Sequence, residues 1–104
     1  MHAAKRRRLE AAGWHIGTAA EFLGLTQAES DYIEIKLALL YALARVRKQH
    51  RWTRAALARK IGVKEFKVRR MEIGDGSIFI DDFVNALLAL GATRKDLARI
   101  IARS

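Results

Sequence analysis

Cysteine and proline are both absent from this chain. Without cysteine there is no disulfide framework, no thiol nucleophile and no thiolate metal site, and a reducing compartment suits the protein. Without proline nothing breaks a helix from within, and a rigid proline-rich linker is excluded. Long apolar runs are missing too. The best candidate, residues 33–46, is interrupted by Glu34, Lys36 and Arg45 and falls short of the roughly 20 apolar residues of a membrane span. The opening MHAAKRRRLEAAG has a basic cluster but no apolar stretch of the secretory kind. A cytoplasmic, nucleoid-associated location with no membrane contact is therefore expected.

Acidic residues are scarce in one region above all. Residues 45–70 hold eleven lysines and arginines against the single acid Glu65, a local charge of +10 that exceeds the +9 of the whole chain. Residues 1–8 add +4, residues 9–44 carry −4 and residues 71–104 carry −1. So concentrated a positive field attracts polyanions by Coulomb energy and counterion release, and nucleic acid is the commonest such partner. Acidic protein surfaces and anionic lipids respond to the same field, so charge alone sets only a class of partner.

A length of 104 residues supports one domain with a core of its own. A chain of this size buries roughly 60–68% of its unfolded surface and stands without staples. Residues 1–17 read as a basic N-terminal arm and residues 18–104 as the domain. Six helices are expected. The first covers residues 19–23, with Thr18 and Glu21 as a capping box and Gly24 as its left-handed stop. Thr26 and Glu29 repeat the box and open a long helix to about Gln49. Tyr32, Ile33, Ile35, Lys36, Leu37, Leu39, Leu40, Leu43 and Val46 supply its broad apolar stripe. Thr53 caps a third helix that Gly62 ends, and a fourth covers residues 64–73. The fifth covers residues 80–90, and the last follows Thr93 and its N3 partner Asp96, with Leu97, Ile100 and Ile101 facing inward. Only residues 77–80, SIFI, have strand character.

The segment from Thr53 to Glu72 carries the function expected here. Leu57, Ala58, Ile61, Val63 and Val68 are spaced so that two short helices share a core across a tight turn at Gly62. With Val68 and Met71 inward, the second helix turns Phe66, Lys67, Arg69 and Arg70 outward, with Lys64 and Glu65 at its leading end. Such a helix suits a DNA major groove, where arginine donates two bonds to guanine. Thr53 and Arg54 begin the first helix of the pair, where backbone N–H groups and a guanidinium hold phosphate. Arg45, Arg47, Lys48 and Arg51 extend this into a phosphate-contacting rim. Phe66 is either a base contact or a core or interface residue, and Trp52 is expected as a core plug. A solvated charged face on an ordinary helical bundle is the plainer reading of the same residues.

The stretch WTRAALARKIGVKEFKVRRMEIGDGSIFIDDFVNALLALG resembles the Xre/Cro-like (lambda repressor-like) helix-turn-helix family, with the pattern LTQxELAxxxGVSxxxISxxExG. Trp52, Thr53, Leu57-Ala58, Gly62-Val63, Val68, Glu72 and Gly74 occupy its framework positions. Upstream, EFLGLTQAESDYIEIKLALLYALARVRK, and downstream, LLALGATRKDLARII, look like single-domain antitoxins of the HigA type and their phage relatives. The resemblance implies an all-α helix-turn-helix domain with an added N-terminal helical segment. It also implies a homodimeric, sequence-specific repressor on double-stranded DNA. As an antitoxin, such a protein neutralises a small basic mRNA-cleaving toxin of the HigB/RelE type and represses its own operon. Three positions depart from the pattern: Arg54 for the usual glutamine, Lys64 for a capping serine and Phe66 for a polar base-reading residue.

Two other readings stay open. One is a phage-type transcriptional regulator. The other is a protein-interaction module with weakened DNA reading, whose acidic residues Glu21, Glu29, Asp31 and Glu34 offer a face to a basic toxin. An enzyme is not expected, nor a metal or cofactor: His2, His15 and His50 make no ligand cluster, and neither HExxH nor GxxxxGK[ST] occurs.

Overall fold

The computed structural model describes residues 23–103. The basic arm at 1–17, the Thr18 capping box and nearly all of the helix expected at 19–23 lie outside the described residues. Gly24 does take the left-handed conformation of a helix stop, with φ 71°. Five helices follow: α1 (Gln27–Gln49), α2 (Arg54–Ile61), α3 (Glu65–Glu72), α4 (Ile80–Ala89) and α5 (Arg94–Ala102).

Local hydrogen bonding explains where they begin. The Glu29 amide donates to Thr26 Oγ1 at 3.0 Å and the Thr26 amide to the Glu29 carboxylate at 3.4 Å, a reciprocal box that satisfies two otherwise orphaned donors. Thr93 and Asp96 do the same for α5, at 3.1 and 2.8 Å. Thr53 Oγ1 accepts from the Ala56 amide at 3.0 Å to start α2, and Gly62, at φ 75°, ends it. A side chain there would have to enter the left-handed region that glycine occupies without steric cost.

The β-rich tetrapeptide at 77–80 is not a strand, and no strand occurs among the described residues. Asp75 accepts from the Ser77 amide at 2.8 Å, closing a turn, and the Phe79 amide donates to Asp82 at 3.0 Å, so the segment becomes the lead-in to α4. Ile78 is buried there while Phe79 is exposed.

The core joins Leu39, Leu40 and Leu43 of α1 to Leu57 and Ala58 of α2, Val68 and Met71 of α3, Ile78, and Phe83, Ala86 and Leu87 of α4. This is a small compact all-α domain, with α1 packed against α3, α4 and α5, and α2 packed most extensively on α3. Two expectations about the core need correction. The stripe on α1 is not one face: Leu39, Leu40 and Leu43 are buried, whereas Tyr32, Ile33 and Leu37 are exposed. On α5, Leu97 and Ile100 pack partly against the core, but Ile101 is turned to the surface. That helix packs chiefly on α1, so only a narrow stripe of it is covered. Among the described residues, no helix is long and apolar enough to cross a membrane.

Candidate nucleic-acid interface

The α3 helix is anchored by Val68 and Met71, both essentially inaccessible. At about 100° per residue, the arc opposite them is centred on Phe66 and flanked by Arg69 and Arg70. Phe66 is 56% exposed, so it is not a core residue, and the base-contact and interface roles both stay open to it. Arg69 is exposed and makes no ion pair among the described residues. The Arg70 guanidinium carbon lies 6.0 Å from the Phe66 ring centroid. Arg70 also pairs with Asp75 at 3.6 Å and donates to the Ser77 hydroxyl.

Lys67 sits at the margin of the arc and pairs with Asp82 of α4 at 2.9 Å. The Lys67 ammonium and the Phe79 amide hold the Asp82 carboxyl below the usual aspartate range, against the opposing effect of burial. A groove of about 440 Å³ runs beside the helix, with Lys64, Phe66, Lys67 and Arg70 on one side and Ser77 and Asp82 on the other.

Lys64 is the N-cap of α3, with extended backbone and no side-chain hydrogen bond to the helix. Its cation stands at the positive end of the helix dipole, which Glu65 in the first turn partly offsets. Lys64→Ser is therefore expected to stabilise the fold by about 0.5–2 kcal/mol, read as a higher urea midpoint at unchanged m-value. An unchanged or lower midpoint would mean that Lys64 is held by something other than the missing cap.

At the start of α2, Thr53 spends its hydroxyl oxygen on the Ala56 amide. Arg54 is only partly available to phosphate, because its Nε donates to Glu72 Oε1 at 2.7 Å while the side chain stays 41% exposed. Arg47, expected in the phosphate rim, is drawn inward instead. It is 19% exposed, donates from Nε to Glu72 Oε2 at 2.6 Å and from Nη1 to the Trp52 carbonyl at 3.1 Å. Glu72 thus ties α1, α2 and α3 with a side chain only 7% exposed. Burial disfavours the charge on Glu72, but the hydrogen bonds and charges of Arg47 and Arg54 outweigh it and lower the pKa.

Glu72 is the residue the motif reading undervalued. No local signal marked it, because its partners Arg47 and Arg54 lie 25 and 18 residues away.

Other assignments also move. Arg45 lines a groove with Tyr41, Ile100 of α5 and Arg103 just beyond it, apart from the α3 arc. Lys48 and Arg51 are exposed at the end of α1, and Arg51 adopts φ 55°, uncommon for a residue with a side chain. Trp52 closes the edge of the core and does not fill its centre. It is half-buried, stacked on His50 at 4.4 Å with Lys60 Nζ 4.6 Å from its ring centroid.

Of the acidic residues expected to face a toxin, Glu21 lies outside the described residues. Glu29 is engaged in its capping box, and Asp31 accepts from Gln27 at 2.9 Å. Glu34 lines the groove that contains Arg45. No group of three metal-ligating side chains occurs among the described residues.

Comparison with known proteins finds no matching family model, no matching curated protein and no matching solved structure.

Proposed function

We propose that this protein binds double-stranded DNA by laying α3 in the major groove, in the manner of the Xre/Cro-like helix-turn-helix repressors it resembles. The observation that carries the reading is the outward arc of α3. Phe66, Arg69 and Arg70 face away from the core, with Lys64 at the leading end, while Glu72 and Asp82 are spent on ion pairs at its margins. Arginine supplies bidentate donors for guanine or a fork for phosphate, and an exposed phenyl ring suits a thymine methyl. The framework at Leu57, Ala58, Gly62, Val63 and Val68 supports the same reading, because it packs α2 on α3 across the tight turn at Gly62.

Arg69→Ala is expected to weaken binding to a duplex about 5- to 100-fold, the range of one good arginine contact. Arg94→Ala, an equal loss of charge on α5, should change it less than about 2-fold. Fluorescence anisotropy with a labelled duplex makes the comparison, and equal losses for the two variants would reduce the reading to a diffuse charge effect.

Repression by a homodimer, with no catalytic role, completes the proposal. The antitoxin role, with a HigB/RelE-like toxin as partner, rests on the resemblance alone, because Glu29 and Asp31 are occupied locally. A second reading, a protein-interaction module, is favoured by Phe66 itself, an apolar ring at the apex where polar base readers are usual. Phe66→Asn separates the two, since it alters sequence preference under the DNA reading and leaves duplex binding untouched under the other.

A further inference from the structure

The long helix α1 has a second face. Leu39, Leu40 and Leu43 enter the core, whereas Leu37 and Tyr41 are 39% and 59% exposed on the other side. At about 100° per residue, positions 34, 37, 38, 41, 42 and 45 fall within an arc of roughly 140°. The six residues there, Glu34, Leu37, Ala38, Tyr41, Ala42 and Arg45, line one groove of about 310 Å³ that α5 borders.

Their order is its own complement. Turned antiparallel about a point midway between residues 39 and 40, α1 places Glu34 opposite Arg45 and Ala38 opposite Tyr41 along the centre of the face, with Leu37 and Ala42 on its two flanks. Large meets small in the central apolar pair and acid meets base in the outer one. A twofold axis makes every pair occur twice, which is the defining property of an isologous interface. Ala38 lets the two helix backbones approach while Tyr41 fills the space beside it.

We propose that this face of α1 is a homodimer interface, occupied by α1 of a second copy of this chain running antiparallel. Charge selects the orientation. On this side of α1 the N-terminal half carries Asp31 and Glu34 and the C-terminal end carries Arg45 and Lys48, while Glu29, Lys36 and Arg47 lie on the opposite side. Antiparallel pairing brings opposite signs together, and parallel pairing sets like against like. A carboxylate accepts up to about four hydrogen bonds, so contacts of Glu34 within its own chain do not exhaust it. The interface does not depend on the DNA-binding reading. One helix face with the α5 border is smaller than the roughly 1,600 Å² of a standard interface, so the dimer dissociates on dilution.

Sedimentation velocity on the full chain over a wide concentration range tests this, with circular dichroism confirming equal helicity of the variants. The wild type should show a monomer–dimer equilibrium. Glu34→Arg or Arg45→Glu alone turns both attractive pairs repulsive and should weaken dimerisation at least about 10-fold, as should Tyr41→Glu. The double variant Glu34→Arg with Arg45→Glu restores the pairs in swapped form and should recover to within about 3-fold of wild type. A wild type that stays monomeric, whether because residues 1–22 or another protein covers the face, overturns the interface. So does a dimer indifferent to the single variants, or one that the double variant fails to rescue.

Discussion

Replacing Glu72 with alanine is expected to destabilise the protein by about 2–4 kcal/mol, because removing one member of a buried ionic cluster strands the charges left behind. The two stranded groups are unequal. Arg47, at 19% exposed, loses its Glu72 contact and among the described residues keeps the Trp52 carbonyl, whereas Arg54, at 41%, can turn to water. This places the expected cost below that of a fully buried triad. Glu72→Gln retains one acceptor oxygen and should cost about half as much.

The effect reaches beyond stability. Arg47 belongs to α1, Arg54 to α2 and Glu72 to α3, so the carboxylate sets how α3 sits against its supports. Duplex binding by Glu72→Ala should fall even at temperatures where the variant remains folded. Urea unfolding at neutral pH measures the first effect and anisotropy the second.

The same carboxylate gives the fold a particular acid sensitivity. The folded-state pKa of Glu72 is lowered, so its contribution is complete above about pH 4.3, the ordinary glutamate value, and is lost as the pH falls through the depressed folded value. Between neutrality and about pH 3, the stability of Glu72→Gln should therefore fall less steeply than that of wild type. Parallel curves would show that the ion pairs contribute nothing in solution.

Removing charge from the outward side of α3 is expected to have the largest effect on binding. The triple variant Lys64→Ser, Arg69→Ala, Arg70→Ala should bind a duplex at least about 100-fold more weakly at moderate salt. Each lost phosphate contact also flattens the salt dependence by about one unit of slope. Arg70 differs from the other two, because its contacts to Asp75 and Ser77 brace the turn after α3. A companion variant, Asp75→Ala, breaks that brace while keeping the cation and should retain most of the binding. If Asp75→Ala loses as much as the triple variant, the geometry of the turn matters and the charge does not.

Much of the fold was legible in the sequence because helix ends are written in short-range chemistry. Thr26 with Glu29, Thr53, Gly62, and Thr93 with Asp96 act within three or four residues, and each sits where those rules place it. The inward positions Val68 and Met71 were legible by period, and with them the outward position of Phe66 and Arg69. Side chains that act across the fold were not. Glu72 meets partners 25 and 18 residues away, and nothing local distinguishes it from a solvated glutamate. Arg47 looked like its neighbours in a basic run and became the inner member of an ion pair. The apolar residues of α1 exceed what one face can bury, so periodicity alone did not say which of Leu37 and Leu39 reaches the core.

The most direct test of α3 as a DNA-binding surface is the salt dependence of duplex affinity, measured by anisotropy between about 50 and 200 mM salt for wild type and for Arg69→Ala. The account predicts a straight fall of log affinity against log salt, with a slope equivalent to several phosphate contacts at about 0.9 each, and a weaker Arg69→Ala complex throughout. Affinity that is absent at the lowest salt, or indifferent both to salt and to the loss of Arg69, would contradict it.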